Sequence, residues 1–517
     1  MTGAPQADLL FDNGPVFAPS CGIPGGAPAP RHLAVAVAGG RILAVGPEAA
    51  GLAGPRTERI DLAGRLLVPG FQDSHIHAVF GGLELGRCDL TAYLTAGEYL
   101  AAIGEYARAH PERGWITGGG WSLESFPGGL PTAAALDAVV PDRPVFLPNR
   151  DHHGAWVNSR ALELAGITRD TPDPADGRIE RDDRGVPTGM LQEGALRLVE
   201  ALLPATSAAE FDAALDRAQA LLHSLGITGW QDALVGSGLG GADNFGVYLR
   251  AAQAGRLTAR VRGALWWERD RGAEQIEGFV GRRQAGRGAG NGRFDPGSVK
   301  IMQDGIIENR TAALNSPYLV PCGCDGSTGH GAARADDGTS GLSFVDPGKL
   351  GGYVAELDRL GFQLHFHALG DRAVREALDA VQAALAANGQ LGNRHHLAHL
   401  QVVHPQDVPR FGALGATANI QPPWACHDPQ MDELAIPLLG PERALWQYPF
   451  RSLLASGAGL AAGSDWPVSS PDPILGMHVA VNRVAPGGQA EPLTPDERLH
   501  ETRVAATFVG GEPVYRA

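Results

Sequence analysis

The chain has 517 residues, and its 42 basic and 57 acidic side chains give a formal net charge of −15 at pH 7. So acidic a chain, with no basic stripe to neutralise phosphates, is a poor partner for nucleic acid. No run of about 18 apolar residues predicts a membrane span. Hydrophobic residues at 44% and charged residues at 19% are typical of a globular protein with a sizeable core.

Cysteine content and the first residues bear on the compartment. Five cysteines are scattered through a large chain, and an odd, widely spaced set indicates reduced thiols instead of a disulfide framework. The opening Met-Thr-Gly-Ala-Pro-Gln shows neither the basic nor the apolar region of a secretory signal. We therefore expect a cytoplasmic protein.

The first 70 residues alternate short apolar runs with turn signals. Two of these runs meet at Gly39-Gly40, a pair typical of a tight β-hairpin. The last residues show the same alternation of apolar residues and turn signals. We predict that segments 1–70 and 500–517 together form a small β-sandwich module.

From residue 71 onward, short apolar runs alternate with helical stretches such as 208–225 and 371–387, where apolar residues recur every three or four positions. Eight such runs predict an α/β fold, a (β/α)₈ TIM barrel with parallel strands, over 71–499. The runs are 71–77, 226–232, 260–267, 298–304, 362–368, 395–401, 415–421 and 459–465.

The first two runs are much further apart than the others. We predict that residues 80–220 form a subdomain inserted after the first barrel strand. In this fold the active site assembles at the carboxyl ends of the strands, and long connections there carry specificity. We expect the insertion to lie beside the barrel mouth.

Two histidines end the first predicted strand, in Phe71-Gln-Asp-Ser-His-Ile-His. Residues i and i+2 of a strand share a face, so His75 and His77 can reach one ion. Because the other strand ends meet at the same face of the barrel, their polar groups predict a site for zinc or a similar divalent ion. These groups are His367, His399 and Asp465, together with Lys300 in the fourth run.

Lysine is almost absent, since Lys300 and Lys349 are the two lysines among 42 basic residues. Lys300 lies in the apolar run Ser298-Val-Lys-Ile-Met, where a bare charge is unfavourable. An ammonium would repel a metal ion, whereas an amine that has added carbon dioxide becomes an anionic carbamate. Arginine cannot provide such a group. The sequence therefore predicts a carboxylated Lys300 and one or two ions.

The segments around these residues resemble the amidohydrolase superfamily and, more narrowly, its YtcJ-type branch, amidohydrolase family 3. The resemblance covers nearly the whole chain and includes Asp151-His-His-Gly-Ala-Trp-Val-Asn in the insertion. The other segments that carry it are Pro69-Gly-Phe-Gln-Asp-Ser-His-Ile-His, Val299-Lys-Ile-Met-Gln-Asp-Gly, His365-Phe-His-Ala-Leu-Gly-Asp, Ala398-His-Leu-Gln and Gly463-Ser-Asp-Trp-Pro.

The resemblance implies a role for each ligand. His75 and His77 would bind the more buried ion, and Lys300 would be the carbamylated ligand. His367 and His399 would hold a second ion or position. Asp465 would take a proton from the metal-bound water.

The implied activity is hydrolysis of a nonpeptide carbon–nitrogen bond, such as an N-acyl, N-formyl or cyclic amide. A divalent ion makes hydroxide available at neutral pH, and Asp465 would return the proton to the leaving nitrogen. The expected partner is a small amide, and a homodimer is left open. Two alternatives also stay open: a deaminase of ring amidines, against which Lys300 argues, and a non-catalytic regulator, which would not need Asp465.

Other residues are weaker candidates. The sequence does not decide whether Glu193 and Asp304 support the site or have a purely structural role. We expect His365 to face away from His367 and to be structural, as are His395 and His396. The candidates for substrate binding are Arg310 after the fourth run, His153 and Trp156 in the insertion, and Trp424 after the seventh run, where Cys426 and His427 also follow.

The chain departs from the family near its end. Relatives carry a further helix after the segment that corresponds to 493–499, whereas here Leu499 runs directly into His500. The sequence leaves open whether this is a deletion. The metal residues are unaffected by it.

Overall fold

A computed structural model describes residues 6–17, 31–238, 242–290, 292–320, 334–335, 338–486 and 502–517. The departure at Leu499 lies outside the described residues. Within these ranges, no helix combines the length and the apolar character needed to cross a bilayer.

Eight parallel strands form the central barrel, as predicted from the sequence. Each strand pairs with the next one along the chain. They are β1 (Phe71–Ile76), β2 (Ile227–Val235), β3 (Arg260–Trp266), β4 (Phe294–Met302), β5 (Gln363–Ala368), β6 (His396–His399), β7 (Thr417–Ile420) and β8 (Gly459–Ala462).

Residues just after β8 close the ring against β1. The Asp465 backbone N–H donates to the His75 carbonyl at 2.7 Å, and the Ser464 N–H donates to the Asp73 carboxyl at 3.0 Å. Gly463 makes this approach possible, because a Cβ there would lie 2.6 Å from the His75 backbone nitrogen. The carboxyl end of the barrel is therefore held by hydrogen bonds between its first and last strands.

Helices follow the strands, and most pack their apolar sides against them in one large core. A capping box starts the helix after the insertion: Ser207 Oγ accepts from the Glu210 N–H, and Glu210 accepts from the Ser207 N–H. The helices are Ala78–Glu84, Ala208–Ser224, Phe245–Gln253, Ile276–Arg287, Pro347–Arg359, Asp371–Asn388, Val408–Leu414, Ile436–Ala444, Phe450–Ala455 and Pro473–Asn482, with a π-helix at Gln430–Ala435.

The N-terminal segment forms its own four-stranded sheet, in the order Arg41–Gly46, Ala34–Ala38, Ala7–Asp12, Ala53–Asp61. The predicted hairpin is present, and both Gly39 and Gly40 have the positive φ that such a turn requires. A C-terminal hairpin, Ala506–Val509 with Glu512–Arg516, packs beside this sheet through Phe508, whose ring lies 5.0 Å from that of Phe11. Two short pairs, Pro15–Val16 with Arg31–His32 and Leu319–Val320 with Arg334–Ala335, complete the small strands.

Between β1 and β2 the chain leaves the barrel and builds a six-stranded sheet. Trp121, Phe126 and Trp156 pack edge to face in its core. Its strands are Cys88–Asp89, Ile116–Gly119, Val145–Pro148, Gly154–Val157, Gly177–Arg181 and Pro187–Glu193, and its helices are Ala96–Ala109, Ala133–Asp137, Ser159–Leu164 and Arg197–Glu200.

Candidate metal centre and active-site cavity

The structure brings the six predicted ligands together at the carboxyl end of the barrel. Asp465 Oδ1 lies 2.9 Å from His77 Nε2 and 3.2 Å from His75 Nε2. Lys300 Nζ lies 3.3 Å from His75 Nε2. His399 completes the group, with its Nδ1 3.9 Å from Asp465 Oδ2 and its ring 4.5 Å from the His367 ring.

The donor atoms of this cluster fit a metal ion. Ligand atoms of His75, His399 and Asp465 all lie within 4.8 Å of one another. His367 Nδ1, His399 Nδ1 and Asp465 Oδ1 are buried and make no hydrogen bond; His367 Nδ1 lies 3.3 Å from Asp304 Oδ1. Buried polar atoms without partners cost free energy, so the approach of such atoms of His399 and Asp465 to His75 is the arrangement expected of ligands.

Burial sets the charge of the cluster. It lowers the pKa of His75, His367 and His399 well below the usual value, and their neighbours, including Lys300, add to the shift. Burial alone would raise the pKa of Asp465, but the hydrogen bond and electrostatic contact with His77, together with His399 and Lys300, lower it overall. Histidine binds a metal ion as the neutral imidazole and aspartate binds it as the carboxylate, so these pKa shifts favour the forms that bind metals.

Two buried carboxyl groups brace the ligands. Asp73, which sequence reasoning missed, accepts the N–H groups of His75 and Ser464, and burial raises its pKa to about 7. Asp304 accepts the N–H groups of Leu369, Gly370 and Ala313. The signal for Asp73 was its position on the same face of β1 as His75, two residues earlier.

The prediction that His365 faces away from His367 is wrong. Residues i and i+2 of a strand share a face, and His365 Nε2 lies 2.8 Å from His75 Nδ1 inside the barrel. The same rule that joined His75 to His77 could have placed it. His395 lies elsewhere, 3.1 Å from Asp358 through its Nε2, and His396 contacts the Asn419 amide.

A cavity of about 700 Å³ opens above the cluster and is lined by His153 and Trp424 as well as the ligands. The Trp424 ring stacks on the His399 ring at 5.0 Å. The His153 ring lies 5.3 Å from the His367 ring, and its Nδ1 bonds Glu193 Oε1 at 2.9 Å. Burial would lower the pKa of His153, but the Glu193 carboxylate outweighs it and raises this pKa to about 9.

Two of the predicted substrate-binding residues are not brought to this cavity. Trp156 is fully buried in the core of the insertion, where its Nε1–H donates to the Thr132 carbonyl at 2.8 Å. Arg310, half-buried on the loop after β4, is not among the described residues that line the cavity. Cys426 lines it, whereas His427 is exposed.

Comparison with known proteins agrees with this geometry. The model of a family described as "Amidohydrolase family" matches residues 58–515. The chain belongs to the amidohydrolase family. It is thus a hydrolase that acts on carbon–nitrogen bonds, as predicted from the sequence.

The resemblance to the YtcJ-type branch is confirmed as well. The chain is 32% identical over 432 residues to "Putative amidohydrolase YtcJ" of Bacillus subtilis, covering 83% of this chain and 75% of that protein. It is 30% identical over 485 residues to "N-substituted formamide deformylase" of Arthrobacter pascens, covering 90% and 82%. The crystal structure of an uncharacterised metal-dependent hydrolase from Pyrococcus furiosus superposes with a TM-score of 0.64 at 25% identity, covering 95% of this chain and 90% of that one.

Proposed function

We propose that this protein hydrolyses a nonpeptide, amide-type carbon–nitrogen bond of a small molecule, such as an N-acyl, N-formyl or cyclic amide. The observation that carries the proposal is the buried cluster of imidazoles, carboxylate and amine that lines the cavity at the barrel mouth. The relative named as a formamide deformylase supports an N-formyl amine as the first substrate to test.

Nitrogen and carboxylate ligands suit Zn²⁺, and we propose that one or two such ions bind. A bound ion supplies a Lewis acid that polarises a carbonyl and lowers the pKa of water. The unbonded His367 Nδ1, His399 Nδ1 and Asp465 Oδ1 support this assignment. The proposed ligands are His75, His77, Lys300, His367, His399 and Asp465.

We assign proton transfer to Asp465. Its lowered pKa keeps it ionised at neutral pH, so it can accept a proton from the attacking water and return it to the leaving nitrogen. The hydrogen bond from its backbone N–H to the His75 carbonyl holds it at the cluster.

We propose that Lys300 is carboxylated. Addition of carbon dioxide to the neutral amine forms a nitrogen–carbon bond at Nζ and releases one proton, so that an anionic carbamate replaces the amine. Burial lowers the pKa of Lys300 to about 7, which makes the neutral, nucleophilic amine available at neutral pH. Its 3.3 Å contact with His75 Nε2 supports a ligand role.

The cavity supports a substrate with an apolar substituent, larger than urea. Many of its walls are apolar side chains, among them Phe80, Leu234, Trp266, Met302 and Trp424. We propose that His153 and Trp424 contact the substrate, since both lie against metal-ligand rings.

Metal analysis tests the centre. Wild type, Lys300→Arg and the exposed control Lys349→Arg are expressed with added bicarbonate and analysed for bound metal. We expect about one to two equivalents of zinc or a similar ion in wild type and in the control, and less in Lys300→Arg. Absence of metal from wild type would overturn the proposed metal-dependent function. Full metal occupancy in Lys300→Arg would overturn the proposed carboxylation of Lys300.

Product analysis tests the reaction. The metal-loaded enzyme is incubated with N-formyl amines, N-acyl amines, cyclic amides and ring amidines. Release of formate or another carboxylate together with an amine, or opening of a cyclic amide, is the expected result. Ammonia released from a ring amidine alone would favour a deaminase instead.

A further inference from the structure

A hydrogen-bonded chain leads from the metal ligand His75 into the barrel interior. His75 Nδ1 lies 2.8 Å from His365 Nε2, and the other ring nitrogen, His365 Nδ1, lies 2.9 Å from Gln231 Nε2. His75 and His365 are fully buried, and Gln231 is nearly so. No bulk water can replace these contacts if one of the side chains turns away.

The far end of the chain is fixed by the backbone. Gln363 Nε2 donates to the Arg394 carbonyl at 3.0 Å, which directs Gln363 Oε1 toward Gln231 Nε2, also at 3.0 Å. Ser298 Oγ lies 3.2 Å from the same Gln231 nitrogen. Side chains from β2, β4 and β5 thus converge on one position and hold the His365 ring in place.

This arrangement sets the direction of His75. With Nδ1 engaged by His365, the opposite nitrogen, Nε2, faces Lys300 Nζ at 3.3 Å and Asp465 Oδ1 at 3.2 Å. Partners of this kind on the second nitrogen of a ligating histidine orient the ring and tune its affinity for the metal.

We propose that His365, held by Gln231, is a positioning residue that keeps His75 Nε2 directed into the metal centre. The inference rests on the proposed metal-dependent function, and it adds a residue that binds neither the ion nor the substrate. It predicts an effect on metal affinity, which can be measured without knowing the substrate.

The neighbouring strand offers a matched control. His395 is also a buried histidine with both ring nitrogens engaged, by Asp358 Oδ1 at 3.1 Å and by the Leu364 N–H at 3.1 Å. Neither of these partners is a proposed ligand. His395→Phe therefore removes a buried imidazole and its hydrogen bonds without touching His75.

The experiment measures zinc affinity of the full chain. Wild type, His365→Phe, His365→Gln and His395→Phe are stripped with a chelator, checked for folding by circular dichroism, and titrated with Zn²⁺ against a competing dye. We expect His365→Phe to raise the Kd by about 10- to 100-fold and His365→Gln, which can still bond His75, to recover part of the loss. His395→Phe should leave the Kd unchanged.

Two results would overturn the inference while leaving the proposed function standing: wild-type affinity in His365→Phe, or an equal loss in His365→Phe and His395→Phe. Failure of wild type to bind zinc or another divalent ion would instead remove the proposed function. Should His365→Phe not fold, Gln231→Leu, which frees the His365 ring but keeps both histidines, must weaken zinc binding in the same direction.

Discussion

The barrel and the inserted subdomain reach the same cavity by different means. In the barrel, His75 and His367 lie on regular strands, and strand geometry alone turns them inward. In the insertion, His153 faces the cavity because Glu193 bonds its Nδ1, whereas Trp156, three residues further on, turns into the subdomain core. Side-chain direction is thus a local property in one region and a tertiary one in the other.

The tertiary contacts of the insertion reach back to the barrel. Glu193 Oε1 also accepts the Thr311 hydroxyl at 2.7 Å, from the loop after β4. The Asn309 amide donates to the His153 carbonyl at 3.2 Å. The insertion therefore contributes a cavity histidine whose position depends on both regions at once. Substitutions in the barrel and in the insertion can distinguish side chains placed by strand geometry from side chains placed by tertiary contacts.

The largest effect is expected on the barrel side, at Asp465. Asp465→Asn removes the proposed proton acceptor, and general acid–base groups contribute about 10²- to 10⁴-fold to rate, so kcat should fall by that order. The measurement is steady-state hydrolysis of the best amide found. Asp432→Asn, at a half-exposed carboxyl paired with His427, is the control and should retain activity, and an Asp465→Asn enzyme of wild-type kcat would refute the assignment.

On the insertion side, Trp156 should matter for stability. Trp156→Ala removes a fully buried ring that packs on Trp121 and Phe126, and such truncations cost about 3–5 kcal/mol. Chemical denaturation measures the free energy of unfolding, with Trp156→Phe as the milder control. A change in KM with no loss of stability would instead place this ring in contact with substrate.

A buried carboxyl group of β2 makes the stability of the barrel depend on pH. Burial raises the pKa of Asp232 to about 6, above its unfolded value near ~3.9, so its contribution to stability is present at low pH and is lost as pH rises through about 6. Asp232→Asn should remove this contribution, which has an upper size of about 3 kcal/mol, while other buried groups such as Asp73 keep theirs. The unfolding free energies of both proteins are compared from about pH 3.5 to about pH 7, and parallel curves would contradict the prediction.

A smaller effect, on catalysis, is expected at His153, three residues before Trp156. Hydrogen bonds that involve charged groups contribute about 1.5–3 kcal/mol, so His153→Gln should lower kcat/KM by roughly 10- to 100-fold. Glu193→Ala should produce a similar kinetic loss through His153. The pair would lose its proposed role if His153→Gln retained the kcat/KM of wild type.

The same contrast explains what the sequence could predict. The eight strands follow from eight short apolar runs, and the cluster of ligands follows from the histidines, the lysine and the aspartate in five of those runs, because parallel strands bring their carboxyl ends to one face. Applied consistently, the two-residue period would also have placed His365 and Asp73. The prediction for His365 fails because it assigns opposite directions to His365 and His367, which share a face of the strand.

The insertion offered no such rule. His153 lies in a turn just before a strand, and the Trp156 side chain is buried by Trp121 and Phe126 from a distant part of the sequence. The partnership of His153 with Glu193 joins positions 40 residues apart. Nothing in the spacing of single residues encodes such a contact, so the division between cavity and core in this subdomain required the folded structure.

The seam between β8 and β1 has a consequence for how the protein is made. The Ser464–Asp73 hydrogen bond joins positions 391 residues apart, and the close approach at Gly463 brings the two ends of the barrel together beside His75. Synthesis of the chain adds His75 long before Asp465. The centre therefore cannot be completed co-translationally until Asp465 has emerged from the ribosome, so a complete ligand set is present only in a chain whose eighth barrel strand has already been made.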